Sequence, residues 1–237
     1  MVRTSLLCLT LAASATLAAA PTETHLLGLA GRPAAVDIYA PAAPPRALAV
    51  IAHGFTRSRG QHVVLAARLA SAGFLVAVPA LPHWVRHEAN ADALVALVAA
   101  IAAERGLETL PVVLIGTSAG GLAALLAADR VPRLALWVGL DPVDAFGQAR
   151  DAARKLRAPA VVLRAPNSAC NVVGSARRIA ARLPDGHTEQ RIDGASHCDF
   201  EDTTNWRCES ICGSADAARQ SLIVTQTVEA ARAAVGD

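Results

Sequence analysis

Short apolar segments alternate with longer segments rich in alanine and leucine along most of the chain. The short segments are typical of buried strands and the longer ones of helices. Strands are predicted at 23–29, 36–39, 48–52, 74–78, 112–115, 134–140, 160–163 and 188–192. Helices are predicted at 63–72, 89–104, 120–128, 145–155, 175–183 and 217–234. This alternation indicates an α/β fold with a mostly parallel central sheet and helices on both faces.

One stretch breaks the alternation. Residues 194–213, with the sequence GASHCDFEDTTNWRCESICG, have no clear hydrophobic period and contain three cysteines. Long irregular loops are commonly functional or disordered, and cross-links argue against disorder. The sequence therefore predicts a loop at 194–213 that disulfides hold in place.

The beginning of the chain has the pattern of a secretory signal peptide. Arg3 precedes an apolar stretch at 6–17, and three alanines follow it. Such a segment is too short to remain as a membrane-spanning helix. We expect a signal peptide at 1–20 and a single domain at 21–237 without an internal linker. The protein is then exported, either secreted or periplasmic, with no stable membrane anchor after the signal is removed.

Removal of the leader changes the cysteine count. The chain has five cysteines, and Cys8 lies within the leader. Cys170, Cys198, Cys208 and Cys212 remain, in a chain destined for an oxidising compartment. Two disulfides are therefore expected, in any of three connectivities.

Charge and composition exclude several classes of protein. The 237 residues include 22 lysines and arginines and 20 aspartates and glutamates, which gives a formal net charge of +2. This near balance leaves no strong field to hold a polyanion, so no nucleic-acid partner is expected. A hydrophobic content of 53% excludes a disordered chain. Composition leaves the oligomeric state open.

The sharpest chemical motif is GTSAG at 116–120, directly after a predicted strand and at the start of a predicted helix. This is the G-x-S-x-G pattern of a nucleophile elbow, in which small flanking residues permit a strained turn that exposes the serine hydroxyl. Ser118 is therefore the candidate nucleophile. The alternative interpretation is a glycine-rich turn whose serine only caps a helix.

A nucleophilic serine needs a base, which in this kind of site comes later in the chain. Only His187 and His197 lie beyond Ser118. His187 falls at the start of the last predicted strand, whereas His197 lies in the loop that follows it. From that loop an imidazole can extend over the sheet edge toward the serine, so His197 is the predicted base.

Asp141 is the predicted acid of the site. The usual position, after the strand predicted at 160–163, reads RAPNS and offers no carboxylate. The preceding strand ends in GLDPVD, which places Asp141 at the carboxyl edge of the sheet, on the same side as Ser118. A carboxylate there would fix the tautomer of the base and stabilise its imidazolium form. Asp144 is the second candidate, and both aspartates could instead cap the next helix.

Two backbone amides are predicted to stabilise an oxyanion. The Ala119 amide follows the nucleophile, and the second donor is expected in the HGFT segment after the third predicted strand. Phe55 is the predicted donor because Gly54 lets the backbone turn toward the site. Thr56 is the alternative donor, and His53 is predicted to be a structural hydrogen-bonding residue.

No cofactor and no metal ion are predicted. His83 and His87 have i, i+4 spacing, but the proline and tryptophan around His83 indicate a loop, and no further ligands complete a metal site. Cys208 and Cys212 lack a second pair at zinc-ribbon spacing, and disulfides are the expected state of cysteines in an exported chain.

The elbow, the HGF segment and the late histidine resemble the α/β-hydrolase superfamily over essentially the whole chain after the leader. HGF, ASAGFLVAVPA, GTSAGG and GLDPVD further resemble the chlorophyllase and chlorophyllase-like branch, whose serine motif reads GHSRGG and whose acid segment reads LDPVDG. That resemblance implies an acid in the DPV segment, in agreement with Asp141. Thr117 and Ala119 replace the His and Arg that flank the serine in that branch, so a chlorophyll substrate is not implied.

The motifs and the resemblance together predict an exported serine hydrolase that cleaves carboxylic esters, with a small-molecule or lipid-like ester as substrate. Ser118 would attack the carbonyl, His197 would carry the proton and Asp141 would orient His197. The short connection after Asp144 predicts a minimal lid or none. Two alternatives remain: an acyltransferase with the same triad, and a catalytically inactive secreted binding protein on the same scaffold.

Overall fold

The structure is a computed structural model that describes residues 20–236. The signal peptide predicted at 1–20 lies outside the described residues, except for Ala20. Within 20–236, no helix has both the length and the apolar character needed to cross a membrane.

Eight strands form one sheet with the order β1-β2-β4-β3-β5-β6-β7-β8. They are β1 (Glu23–Leu29), β2 (Arg32–Tyr39), β3 (Ala47–Ala52), β4 (Phe74–Pro79), β5 (Val112–Thr117), β6 (Leu134–Leu140), β7 (Ala160–Arg164) and β8 (Thr188–Arg191). β2 pairs antiparallel with β1 and β4, and β3 to β8 are parallel. All predicted strands are present with small differences at their ends. β2 begins earlier than predicted because it continues a hairpin in which Arg32 pairs with Leu29.

Helices cover both faces of the sheet, as predicted. They are α1 (Val63–Ser71), α2 (His87–Arg105), α3 (Ala119–Ala127), α4 (Ala149–Lys155), α5 (Ser175–Ala180), α6 (Trp206–Cys212) and α7 (Ala217–Val235). Helices α1 and α7 pack on one face, and α2, α3, α4 and α5 pack on the other. The predicted start of α4 at residue 145 is wrong. The helix begins at Ala149 because the Asp144 carboxylate accepts hydrogen bonds from the N–H groups of Gln148 (2.9 Å) and Ala149 (2.8 Å).

The prediction of an irregular loop at 194–213 is also wrong in part. The segment contains a 3₁₀ helix at His197–Phe200 and the helix α6. The Asn205 side chain caps α6 by accepting from the N–H groups of Arg207 (3.2 Å) and Cys208 (3.3 Å). Two disulfides are present, as predicted, and join Cys170 to Cys212 and Cys198 to Cys208. They attach α6 to the start of the 3₁₀ helix and to the segment after β7.

The core consists mainly of alanine, valine, leucine and isoleucine, in two clusters on either side of the sheet. Strands β3, β4 and β5 are buried along their whole length. The largest fully buried rings are Trp137, Phe74 and Phe200. Because β3, β4 and β5 are covered on both faces, the loops at their ends are the accessible part of the sheet centre.

The loops at the carboxyl ends of the parallel strands bring the predicted site residues together. The chain runs from β3 to β4 on one side of β3 and then to β5 on the other, so the strand order reverses there. Crevices at such a reversal are the usual ligand sites of open α/β sheets. The loops after β3, β5, β6 and β8 carry Phe55, Ser118, Asp141 and His197, respectively.

Candidate active site

Ser118 lies in a tight turn between β5 and α3. Its backbone has φ 54° and ψ −124°, a conformation that favours glycine and is strained for a residue with a side chain. The Ser118 N–H donates to the Leu140 carbonyl (3.0 Å), and the Ser118 carbonyl accepts from the N–H groups of Gly121 and Val143 (both 3.0 Å). These hydrogen bonds fix the turn. The predicted elbow is therefore present as a strained strand-to-helix turn.

Two glycines of the motif are needed for steric reasons. A Cβ atom at Gly116 would overlap the carbonyl oxygen of Gly120, and a Cβ atom at Gly120 would overlap the carbonyl oxygens of Ala52 and His53. Only glycine lets α3 leave the turn this close to β5 and to the end of β3. The G-x-S-x-G spacing is thus a packing requirement of this turn.

His197 and Asp141 form a direct hydrogen bond. The His197 Nδ1 atom lies 2.6 Å from the Asp141 Oδ2 atom. Asp141 is fully buried, whereas the His197 side chain is about one-eighth exposed, at 12%. Nδ1 donates to the carboxylate, an arrangement that fixes the ring tautomer and leaves Nε2 as the nitrogen that can accept a proton.

Asp141 is held by groups from β7 and from the segment that follows it. Its N–H donates to the Leu163 carbonyl (2.7 Å), and its carboxylate accepts from the Ala165 N–H (3.2 Å) and the Asn171 side-chain amide (3.3 Å). Asn171 is fully buried and also accepts from Ser168 and Gly174. Asn171 was not predicted from the sequence. The segment after β7 has no carboxylate that could serve as the acid. It supplies hydrogen-bond donors to the Asp141 carboxylate at the end of β6 instead.

The alternative residues lie elsewhere. Asp144 uses both carboxylate oxygens to cap α4, and its N–H donates to the Ser175 hydroxyl (2.7 Å). The His187 Nδ1 atom lies 3.0 Å from the Pro184 carbonyl oxygen, next to the first residue of β8. Neither residue lines the cleft that contains Ser118 and His197.

The HGFTR loop (residues 53–57) covers the elbow on one side. Gly54 packs against Ser118, since a Cβ atom at Gly54 would lie 3.2 Å from the Ser118 Cβ. A hydrogen bond from the Arg57 N–H to the Gly54 carbonyl (3.2 Å) closes the loop, and Thr56 has φ 56°. Phe55 is half exposed, and the Phe55 amide and the Ala119 amide remain the predicted oxyanion donors.

His53 anchors the HGFTR loop through both ring nitrogens. The Leu81 N–H donates to Nε2 (2.9 Å), so the proton is on Nδ1, which donates to the Gly54 carbonyl (2.9 Å). Burial lowers the pKa of His53, which keeps the ring neutral in this role. The geometry is that of a structural residue, in line with the prediction.

Arg57 and Glu201 connect the HGFTR loop to the segment that carries His197. The Arg57 Nε atom lies 2.7 Å and 2.9 Å from the two carboxylate oxygens of Glu201, and Arg57 Nη2 contacts the same carboxylate. Both side chains are largely buried. This pair was not predicted from the sequence because 144 residues separate its members.

Further contacts hold the 3₁₀ helix that begins at His197. The Thr117 hydroxyl donates to the Phe200 carbonyl (3.2 Å), beside the nucleophile. The Asp199 carboxylate accepts from the Ser196 N–H (2.7 Å) and the Arg219 guanidinium (2.9 Å). With the disulfide at Cys198, these contacts fix the backbone on both sides of His197.

Ser118 and His197 line one cleft with a volume of about 490 Å³. Its other walls include Phe55, Arg57 and Ile211, together with cysteines of both disulfides. The connection from β6 to β7 holds only α4 and its flanking turns, so no lid is inserted at that point.

The one cluster of possible metal ligands within residues 20–236 consists of Cys198, Cys208 and Cys212, whose sulfur atoms lie within 4.8 Å of one another. All three belong to disulfides, which removes the thiolate that a metal would require. His83 and His87 do not belong to any such cluster in this part of the chain.

His62 is expected to make the fold sensitive to acid. It is buried, and within residues 20–236 neither ring nitrogen has a hydrogen-bond partner. Burial, with smaller effects of His53 and Arg57, lowers the pKa of His62 from 6.5 to about 3. Between these two pH values the unfolded chain binds more protons than the folded one. The free energy of unfolding should therefore rise with pH across this window, by about 5 kcal/mol from this residue.

The His62→Leu variant isolates this contribution. Burial raises the pKa of Asp202 to about 6, which gives a pH dependence of the opposite sign. The informative quantity is therefore the difference in free energy of unfolding between the variant and wild type at each pH. Urea unfolding at several pH values should show a flatter dependence below pH 6.5 in His62→Leu, and about 1–3 kcal/mol of added stability at neutral pH. His187→Leu is the control. Equal pH dependence in His62→Leu and wild type would contradict the assignment.

Comparisons with known proteins give the fold. No protein-family model and no curated protein matches the chain. A dienelactone hydrolase from Anabaena variabilis ATCC 29413 superposes with a TM-score of 0.70 at 17% identity, covering 87% of this chain and 95% of that one. The esterase domain of a Rhodothermus marinus protein gives 0.69 at 17% identity, with 90% and 99% covered. An alpha-beta serine hydrolase homologue from Coxiella burnetii gives 0.66 at 14% identity, with 86% and 97% covered.

These similarities confirm the predicted α/β-hydrolase fold. At such low sequence identity they establish the fold alone, because related folds carry different chemistries. The resemblance to the chlorophyllase-like branch stays a prediction.

Proposed function

We propose that this protein is an exported serine hydrolase that cleaves carboxylic esters through an acyl-enzyme. The observation that carries the proposal is the 2.6 Å bond between His197 Nδ1 and Asp141, in the same cleft as a serine on a strained elbow. Strained serines beside an oriented imidazole are typical of nucleophilic catalysis. Two disulfides are the state expected in an oxidising compartment, which supports export.

The residues have the following roles in this proposal. The Ser118 Oγ atom attacks the carbonyl carbon, and its proton passes to His197 Nε2. Asp141 stabilises the imidazolium that forms, and the Phe55 and Ala119 amides bind the oxyanion. The alcohol leaves with the proton from His197. Water then attacks the acyl-enzyme with His197 as base, which releases the acid and restores Ser118.

A fluorophosphonate probe tests the proposal directly, because it forms a stable bond only with an activated serine. Wild-type protein should be labelled at the peptide that contains Ser118, as determined by mass spectrometry. Ser118→Ala should lose the label, whereas Ser71→Ala, a control at an exposed serine on α1, should keep it. Folded wild-type protein that takes up no label, or label that persists in Ser118→Ala, would refute the proposal.

A further inference from the structure

A second, smaller cavity adjoins the cleft described above. The segment Gly54–Arg57 lines both cavities, so the two are adjacent. Ser118 and His197 line the larger one, whereas Ala119, the residue after the nucleophile, lines the smaller. The volumes are about 490 Å³ and about 100 Å³. The nucleophile therefore lines the larger space, and the residue that follows it lines the smaller.

The chemistry of the tetrahedral intermediate assigns each part of an ester to one of these spaces. Its central carbon carries Ser118 Oγ, the oxyanion, the leaving oxygen and the acyl chain. The leaving oxygen must take its proton from His197, so the alcohol part lies in the larger cleft. The oxyanion is directed to the Phe55 and Ala119 amides. The acyl chain is the remaining substituent, and both predicted oxyanion donors, Phe55 and Ala119, line the smaller cavity.

We propose that the smaller cavity binds the acyl chain and the larger cleft binds the alcohol, so that the preferred substrates are esters of short-chain acids with large, uncharged alcohols. This inference rests on the ester hydrolysis proposed above. An engineered cavity of about 150 Å³ holds benzene, with its six carbons. A cavity of about 100 Å³ therefore takes an acyl chain of about four carbons.

The smaller cavity has firmly held walls. The Leu81 N–H donates to the buried His53 ring (2.9 Å). The buried Asn90 side chain accepts from the His83 N–H (3.0 Å) and donates to the His83 carbonyl (2.7 Å). Two buried polar side chains therefore fix the backbone of this wall. An acyl chain too long for the cavity would pass the exposed Trp84 into solvent, where its further methylenes gain no burial.

The walls of the larger cleft favour an apolar alcohol. Phe55 and Ile211 both line it and are exposed, at 48% and 78%. Two arginines also line the cleft. The charge of Arg57 is neutralised by Glu201, and the Arg207 guanidinium lies over the Trp206 ring, 5.6 Å from its centroid. An alkyl or aryl alcohol would cover apolar surface here, with a gain of about 0.8 kcal/mol for each methylene that leaves water.

Octyl acetate and ethyl octanoate form a matched pair for the test. They are isomers with similar alkoxide leaving groups, and differ only in which side of the ester carries the long chain. Wild-type protein should hydrolyse octyl acetate with a kcat/KM at least about tenfold higher, because a misplaced methylene costs about 1–3 kcal/mol in the transition state. The acids released can be followed by pH-stat titration.

Variants in the two cavities should change the ratio of kcat/KM for octyl acetate to kcat/KM for ethyl octanoate, for different reasons. Leu81→Ala and Trp84→Ala enlarge or open the smaller cavity and should raise kcat/KM for ethyl octanoate. Trp84 is 74% exposed, so its replacement should not disturb folding. Ile211→Ala removes an apolar wall of the alcohol cleft and should lower kcat/KM for octyl acetate. Leu222→Ala, on α7 and outside both cavities, is the control and should keep the ratio within about twofold.

The outcomes separate the two proposals. A wild-type protein that labels with fluorophosphonate but hydrolyses ethyl octanoate as fast as octyl acetate, or faster, overturns the assignment of the cavities and leaves ester hydrolysis standing. A ratio that Leu81→Ala and Trp84→Ala both leave unchanged overturns it as well. Absence of both labelling and hydrolysis removes the proposed function and this inference together.

Discussion

Replacing Ser118 by glycine is expected to abolish ester hydrolysis and, at the same time, to stabilise the fold. The loss of the nucleophile should lower kcat/KM by about 10⁴–10⁶-fold. The backbone of Ser118, at φ 54° and ψ −124°, is strained by about 1–3 kcal/mol for a residue with a Cβ atom. Glycine relieves this strain, which stabilises the fold. The greater conformational entropy of glycine in the unfolded chain offsets about 0.5–1 kcal/mol of that gain. A net gain of about 1 kcal/mol raises Tm by about 2–4 °C.

Ser118→Ala is the matched control, because it removes the same hydroxyl but keeps the Cβ atom and the strain. Both variants should be equally inactive against octyl acetate, and only the glycine variant should melt at a higher temperature than wild type. Activity can be followed by acid release and Tm by circular dichroism. An active Ser118→Gly variant would exclude Ser118 as the nucleophile. Equal Tm values for the two variants would show that the turn stores no strain.

The elbow could be predicted because part of its requirement is local. A Cβ atom at Gly116 would overlap the backbone of Gly120 and Gly121 within the same turn, whereas Gly120 is required by the end of β3, at Ala52 and His53. The strands were predictable for a related reason, since β3, β4 and β5 are buried on both faces and read as continuous apolar runs. Sequence pattern is informative where one short segment contains the whole constraint.

The supporting residues were not predictable because their partners are distant in the chain. Asn171 has no signal of its own, and its role depends on a carboxylate 30 residues earlier. Glu201 depends on an arginine 144 residues earlier. Cysteine spacing likewise allows three pairings, and only the three-dimensional positions select Cys170 with Cys212 and Cys198 with Cys208.

The helix α6 was missed for a different reason. It has seven residues, too few for a hydrophobic period to emerge, and none of them is buried. Its position is set by the Asn205 cap and by two cysteines that bind other segments. The position of a short surface helix without an apolar face is set by its N-terminal cap and its disulfides, and its hydrophobic pattern carries no signal.

Asp141→Asn is expected to lower kcat by about 10⁴-fold, which is the effect of the corresponding change in a well-studied serine protease triad. The carboxylate accepts from His197 Nδ1 at 2.6 Å, and an amide in its place can present an N–H instead and favour the wrong imidazole tautomer. Without the negative charge the imidazolium also loses its stabilising partner. KM should change much less than kcat, because Asp141 is fully buried and does not contact substrate.

Asp144→Asn provides the matched control three residues further along the chain. Asparagine keeps one of the two acceptor oxygens that hold the start of α4, so this helix should be weakened less than in Asp144→Ala, and activity should remain within about twofold of wild type. Asp144→Ala should lower the free energy of unfolding by about 1 kcal/mol through loss of the cap, again with activity retained. The contrast separates two aspartates that the sequence alone left as rivals. If folded Asp144→Asn lost activity to the same extent as Asp141→Asn, the acid would not be Asp141 acting alone, because a weakened start of α4, outside the cleft of Ser118 and His197, cannot account for such a loss.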